Sequence, residues 1–234
     1  MNPNPPEADL ADYDTNPDRF RTGSEAPRKY GQGDLHESVA ERIVSEHLHP
    51  VLDVGCGEGR LCRLLQEQNV EVVGLDRSPT MLSSVPGSRI LADALCLPFR
   101  QDSFGAVVAL YMLYHLPEPE MALRECRRVL RRGGLFVAAA PSRRTDPEIA
   151  EVLRTRVSTF DAEVAPDLVA QFFTKLEVVT WDAPLIHLPS VEAVAEYLLG
   201  RGMEKGKCEK AARRLGAPLD VTKRGCLVWG YKDG

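Results

Sequence analysis

The stretch VLDVGCGEGRL, Val51 to Leu61, decides how the rest of the chain is read. It opens as an apolar strand and gives up side chains at Gly55, Gly57 and Gly59. Helical spacing then resumes at Leu61, Leu64 and Leu65. Glycine at alternate positions marks backbone that turns sharply or lies close against something. A strand, a glycine turn and a helix, in that order, is how an open α/β sheet builds a ligand site outside the carboxyl end of its first strand.

Working outward, Leu35, Val39 and Ile43 recur at helical spacing up to about His47, and Pro50 leads into the strand Val51–Val54. After the glycine turn, VEVVGL (70–75) reads as a buried strand ending at Asp76. Ser78-Pro79 is a helix start, with Ser as N-cap and Pro at the first helical position. Residues 89–92 form a short strand ending at Asp93, and FGAVVAL (104–110) forms another. Ala122, Leu123, Cys126, Val129 and Leu130 line a helix expected to stop at Gly133-Gly134, followed by a strand over 135–140. Strands alternate with helices, and most strands are continuous apolar runs, the pattern of a parallel sheet covered on both faces. Gly55–Gly59, Asp76, Asp93 and Tyr111 all fall at strand carboxyl ends. Further on, a helix is expected from Ile149 to Phe160 and another around Leu168–Phe173. A sixth strand is expected over 176–181 and a last one over 225–231, with helices at 190–199 and 203–215 between them.

Residues 1–33 are polar, rich in Pro, Asp and Gly, and read as a flexible arm or lid carrying Tyr13, Phe20 and Tyr30. Residues 34–234 form the main domain, with 182–224 read as an acceptor-side insertion. Lys and Arg total 29 against 34 Asp and Glu, a formal net charge of −5. That balance disfavours sequence-independent nucleic-acid binding, which relies on surplus positive charge. No apolar signal region opens the chain and no stretch is long enough to cross a bilayer, so no membrane partner is expected. The six cysteines show no metal spacing and read as free thiols in a reducing cytoplasm. No H-x-x-x-H arrangement occurs, and no catalytic metal is expected.

Two ligand classes use such a glycine turn. A dinucleotide site wants G-x-G-x-x-G, but here the third glycine comes one position early and Arg60 stands in its place. Asp53 inside the strand is foreign to that fingerprint, because a buried acid needs a polar or cationic partner. Asp53-x-Gly55-x-Gly57-x-Gly59, VVGLD ending at Asp76, ADALCLPF (92–99), FGAVVALYMLYHL and LRECRRVLRRGGLF together closely resemble the class I S-adenosylmethionine-dependent methyltransferases. The likeness is strongest to the small-molecule group with the ubiquinone/menaquinone-type domain, and it covers about residues 35–142. The resemblance implies a Rossmann-like, doubly wound, mostly parallel seven-stranded sheet with helices on both faces and an antiparallel last strand. It also implies S-adenosyl-L-methionine as cofactor. Its implied cofactor residues are Asp53, Gly55, Cys56, Gly57, Gly59, Asp76, Arg77, Met81, Asp93, Ala94, Leu95 and Tyr111. Asp76 would accept the ribose hydroxyls, Asp93 and Ala94 would meet the adenine edge, and Tyr111 would face the sulfonium.

The fourth strand is not followed by the N/D-P-P-Y/F segment of amino-methylating DNA and protein enzymes, nor by the acids of metal-dependent catechol enzymes. A small-molecule acceptor is therefore expected, with the acceptor atom open. A binding module that catalyses nothing and a nicotinamide-dependent oxidoreductase are the rival readings. Tyr30, Tyr114 and His187 are candidate acceptor contacts. His115, with Tyr111, is a candidate base or positioning group. Arg124, Arg127, Arg128 and Arg131 make a basic helical stripe, read as a solvated face or, alternatively, a docking site for an acidic carrier.

Overall fold

The computed structural model describes residues 23, 25, 28–153 and 158–234. Its strands are β1 (Val51–Val54), β2 (Val72–Asp76), β3 (Ser88–Leu91), β4 (Phe104–Leu110), β5 (Leu130–Pro141), β6 (Thr174–Leu188) and β7 (Leu219–Tyr231). Among the described residues they form one seven-stranded sheet in the order β3-β2-β1-β4-β5-β7-β6. Pairing is parallel from β3 through β5, and β7 runs antiparallel to both β5 and β6. The sheet is therefore the doubly wound, mostly parallel one expected.

Helices α1 (Leu35–Ser45), α2 (Arg60–Glu67), α3 (Pro79–Leu82), α4 (Pro119–Val129), α5 (Ala165–Ala170), α6 (Val191–Gly200) and α7 (Lys205–Leu215) complete the layers. Alternation along β4 divides the core. Ala106, Val108 and Leu110 pack with Val39 and Ile43 of α1 and with Leu61 and Leu65 of α2. Phe104, Val107 and Ala109 pack with Leu123 and Cys126 of α4 on the opposite face. The step from 104 to 107 follows from a register shift between Phe104 and Ala106. A third apolar cluster joins α6 and α7 to Ile186, Leu188 and Val221.

Four expectations are corrected. Helix α4 ends at Val129, not at Gly133, because Leu130 is already extended and pairs with Phe104. Strands β6 and β7 are much longer than the apolar runs at 176–181 and 225–231, so the supposed insertion is partly sheet, with α6 and α7 at its tip. Polar residues hid the extension, since β6 is an edge strand with most side chains in water. Of the helix expected from Ile149 to Phe160, residues 154–157 lie outside the described residues, and the described start is a 3-10 turn, Pro147–Ile149, followed by turns to Leu153. Ile149 and Phe160 in fact enter different clusters, which one helical face would not allow. Lastly, the basic stripe is largely tied to its own fold. Arg128 bonds Glu125 and the carbonyls of Leu97 and Phe99, Arg127 bonds the Phe172 carbonyl, and Arg131 bonds that of His49.

Most of the arm, including Tyr13 and Phe20, lies outside the described residues. What is described docks: Gly31 bridges to Ile186, and the Gln32 N–H donates to the Leu185 carbonyl at 2.9 Å.

Candidate active site

Glycine at 55 and 59 is demanded by the turn itself. Both residues have positive φ, +68° and +76°. A Cβ on Gly55 would lie 2.7 Å from the Met112 Cβ, and one on Gly59 would lie 3.0 Å from the Val85 side chain. The chain after β4 is thus packed against the glycine turn, a contact that sequence spacing does not reveal. Gly57 also has positive φ, +53°. Its N–H donates to Asp76 Oδ2 at 2.9 Å, while Asp76 Oδ1 accepts from the Ser78 N–H at 2.9 Å. Ser78 in turn caps α3 through the Met81 N–H. One carboxylate at the end of β2 therefore fixes the turn and orients the start of α3. Each of its oxygens has a second lone pair that can accept a further hydrogen bond.

Asp53 is 4% exposed in the middle of β1, facing α1 and α2. Burial raises its pKa to about 6, against the pull of the neighbouring His36 and a hydrogen bond from the Cys62 thiol at 3.5 Å. His36 itself is pushed below its ordinary value, first by burial, although Asp53 opposes that. Neither His36 nor Cys62 had a sequence signal; the packing of α1 and α2 on one sheet face brings them to Asp53. Cys56 stands in the glycine turn, with its thiol against the Gly57 carbonyl at 3.7 Å.

On the adenine side, Asp93 follows β3 and turns back to accept from the Leu95 N–H at 2.9 Å. Ala94 and Met81 are buried, Leu95 is half-buried and Arg77 is exposed. Tyr111 directly follows β4 with φ +55°, a left-handed conformation that is strained for an aromatic residue. Burial raises its phenol pKa well above the ordinary value. Tyr114 and the exposed His115 follow in a 3-10 turn, with ring centroids 4.3 Å apart. These positions share the carboxyl edge of the sheet, as expected.

Two candidates stand elsewhere. Tyr30 packs on the α6–α7 cluster, and its hydroxyl donates to Glu196 at 2.9 Å. His187 alternates with the buried Ile186 and Leu188, so it points outward, 57% exposed and 2.6 Å from Asp220. The structure does not bring it to the other site residues. Surface recesses of about 440 and 310 Å³ lie at the opposite, amino-terminal edge, beside Gly133 and Thr174 and beside His47 and Gln68. They contain none of the site residues. Among the described residues, no helix is long and apolar enough to cross a membrane, and no group of three or more His, Cys, Asp or Glu is placed to hold a metal.

Residues 52–138 match a family model described as a methyltransferase domain. Demethylmenaquinone methyltransferase of Thermotoga maritima is 37% identical over 106 residues, covering 42% of this chain and 46% of that protein. The chain spans about half the length of the curated relatives it matches. Among solved structures, the cyclase SpnF aligns at TM-score 0.63 and 18% identity over 95% of each chain. A possible histamine N-methyltransferase from Thermotoga maritima aligns at TM-score 0.61 and 15% identity, over 94% of this chain and 98% of that one. Likeness at such low identity shows the shared fold. Residues 52–138 thus match a methyltransferase domain, and by motif, topology and relatives together the chain is similar to the class I S-adenosylmethionine-dependent methyltransferases.

Proposed function

We propose that the chain transfers a methyl group from S-adenosylmethionine to a small-molecule acceptor. The observation that carries this reading is Asp76, a carboxylate at the end of β2 whose backbone bonds to Gly57 and Ser78 leave acceptor capacity for a ribose diol. Asp93, with Ala94, would meet the adenine edge, and Leu95 and Met81 would pack near its faces. The buried carboxyl of Asp53 would lie toward the methionine ammonium, a cation that would offset its cost of burial. The cofactor, when bound, supplies a methyl group on a sulfonium, already activated toward a nucleophile.

The chain's own task is then alignment and exclusion of water. Holding two reactants in line can be worth about 7–11 kcal/mol of barrier. Tyr111 and Tyr114 would line the path. His115 either accepts a proton from the acceptor or positions the cofactor pocket, and positioning is the reading preferred here. Its exposed place in the turn beside Tyr114 is compatible with both.

Calorimetry with S-adenosylmethionine, S-adenosylhomocysteine and NAD tests the reading: the sulfonium and its demethylated product should bind, and a preference for NAD would end it. A second reading is favoured by the structural neighbour that is a cyclase, since the fold alone does not guarantee methyl transfer. Cofactor binding without turnover across a broad acceptor panel would favour that alternative.

A further inference from the structure

The described part of the arm is tied down at two places that belong to different parts of the fold. Tyr30 packs on the apolar cluster of α6 and α7, and its hydroxyl donates to Glu196 Oε2 at 2.9 Å. Lys29 Nζ lies 2.9 Å from the same oxygen. The Gln32 N–H then donates to the Leu185 carbonyl of β6. Two residues later, Asp34 forms an ion pair with Arg60, the first residue of α2 and the neighbour of Gly59 in the glycine turn. Gly33 makes the turn between the two anchors, with φ +77° and nothing within 4 Å of a Cβ built there.

The two ends differ in strength. Asp34 Oδ1 accepts from the His36 N–H at 2.9 Å and so caps α1, while its Oδ2 meets the Arg60 guanidinium. The side chains of Asp34 and Arg60 are 16% and 28% exposed, so this pair is shielded from solvent more than an ordinary surface pair. Glu37, in the first turn of α1, lies 3.6 Å from the same Arg60 nitrogen. Lys29, by contrast, is 57% exposed, which leaves the Glu196 end open to water. A short segment fixed at both ends passes a displacement of one end to the other.

We propose that residues 29–34 are a strap that couples the glycine turn to the ribbon carrying α6. Ligand binding at the turn holds Arg60 and Asp34 in place and so seats the ribbon, and release of the ribbon loosens the turn. The site is then completed in order, the cofactor first and the α6 side after it. The inference rests on the methyltransferase reading for the identity of the ligand at the turn, and adds to it a link between two remote elements. Such coupling is reciprocal, so the ligand and the Glu196 anchor act on each other by the same factor.

Titration of the full chain with S-adenosylhomocysteine, together with tryptic cleavage after Lys29 followed by mass spectrometry, tests the coupling. S-adenosylhomocysteine should slow that cleavage about fivefold or more. Glu196 bonds the strap and is not among the cofactor residues, yet Glu196→Ala should weaken S-adenosylhomocysteine binding by a similar factor. Asp34→Asn keeps a side chain able to cap α1 but removes the charge facing Arg60. In that background cleavage should no longer respond to S-adenosylhomocysteine, and Glu196→Ala should cost no further affinity. Arg60→Gln should reproduce both results. Independent sites would instead give losses that add. Additive losses in folded variants, unchanged affinity in Glu196→Ala, or cleavage of the unaltered chain that ignores S-adenosylhomocysteine would each overturn the proposal. Failure of S-adenosylhomocysteine to bind at all would instead remove the methyltransferase reading beneath it.

Discussion

At the scale of single residues, Asp76 and Asp53 show how position on a strand sets the role of a carboxylate. Asp76 is at a strand end, half in solvent, and organises backbone donors, so Asp76→Ala should leave the fold intact and weaken S-adenosylhomocysteine binding about ten- to a hundredfold. Unchanged affinity in a folded variant would remove it from the site. Asp53 is enclosed, and its folded-state pKa of about 6 exceeds the ordinary 3.8. The folded protein therefore keeps a proton that the unfolded chain has lost, and stability falls as pH rises through about 4 to 6, then levels. Asp53→Asn should lack this slope and, without cofactor, exceed the parent above about pH 6 by ~2–3 kcal/mol. Parallel stability curves for the two proteins would refute this account of Asp53. For His115, replacement by Asn separates the two roles. A base predicts a turnover loss of about a hundredfold or more with near-normal cofactor affinity and an altered acidic limb of the pH profile. A parallel fall in affinity with an unaltered profile leaves positioning.

At the scale of elements, glycine acts through what lies across from it. Gly225 on β7 pairs with Trp181 on β6, and a Cβ there would lie 2.3 Å from the indole ring and 2.8 Å from the Ala140 carbonyl. Gly225→Ala should therefore cost at least about 1–3 kcal/mol, since backbone on one side leaves the ring little room to retreat. Gly206, in α7, has nothing within 4 Å of such a Cβ. Gly206→Ala should be neutral or stabilising by up to about 1 kcal/mol through helix propensity. Thermal or denaturant melts of the pair would check both, and similar melting points would show that the Trp181 contact yields freely. Arg127 and Arg128 of α4 and Arg131 of β5 show the same: a periodic basic stripe resembles a docking face until their bonds to carbonyls on neighbouring segments are seen.

At the scale of the molecule, the sheet provides one ligand edge, and the long β6–β7 ribbon carries α6 and α7 back toward it. The arm joins that assembly through Gly31 with Ile186 and through Lys29 and Tyr30 with Glu196. A Cβ on Gly23 would lie 2.8 Å from the Gly200 carbonyl, next to Arg201. On the proposal that the arm covers the acceptor, deleting residues 1–25 should depress turnover far more than S-adenosylhomocysteine binding. Full activity in the truncated protein would show the arm to be dispensable.

By itself, the sequence determined the alternation of strands and helices through β5, the glycine turn and the acids at strand ends. Those signals are local: apolar period, turn chemistry and capping all act within a few residues. The lengths of β6 and β7 were not legible, because an exposed edge strand carries polar residues that mask its period. Nor were the surroundings of Asp53, the packing of Met112 on Gly55, or the joining of Asp146, Arg201 and Lys223. Each of these pairs residues from separate elements, and only the crossover connections and the docking of α1 and α6 determine which side chains meet. Tertiary structure decided them because burial and charge pairing are properties of neighbours in space, and those neighbours are remote along the chain.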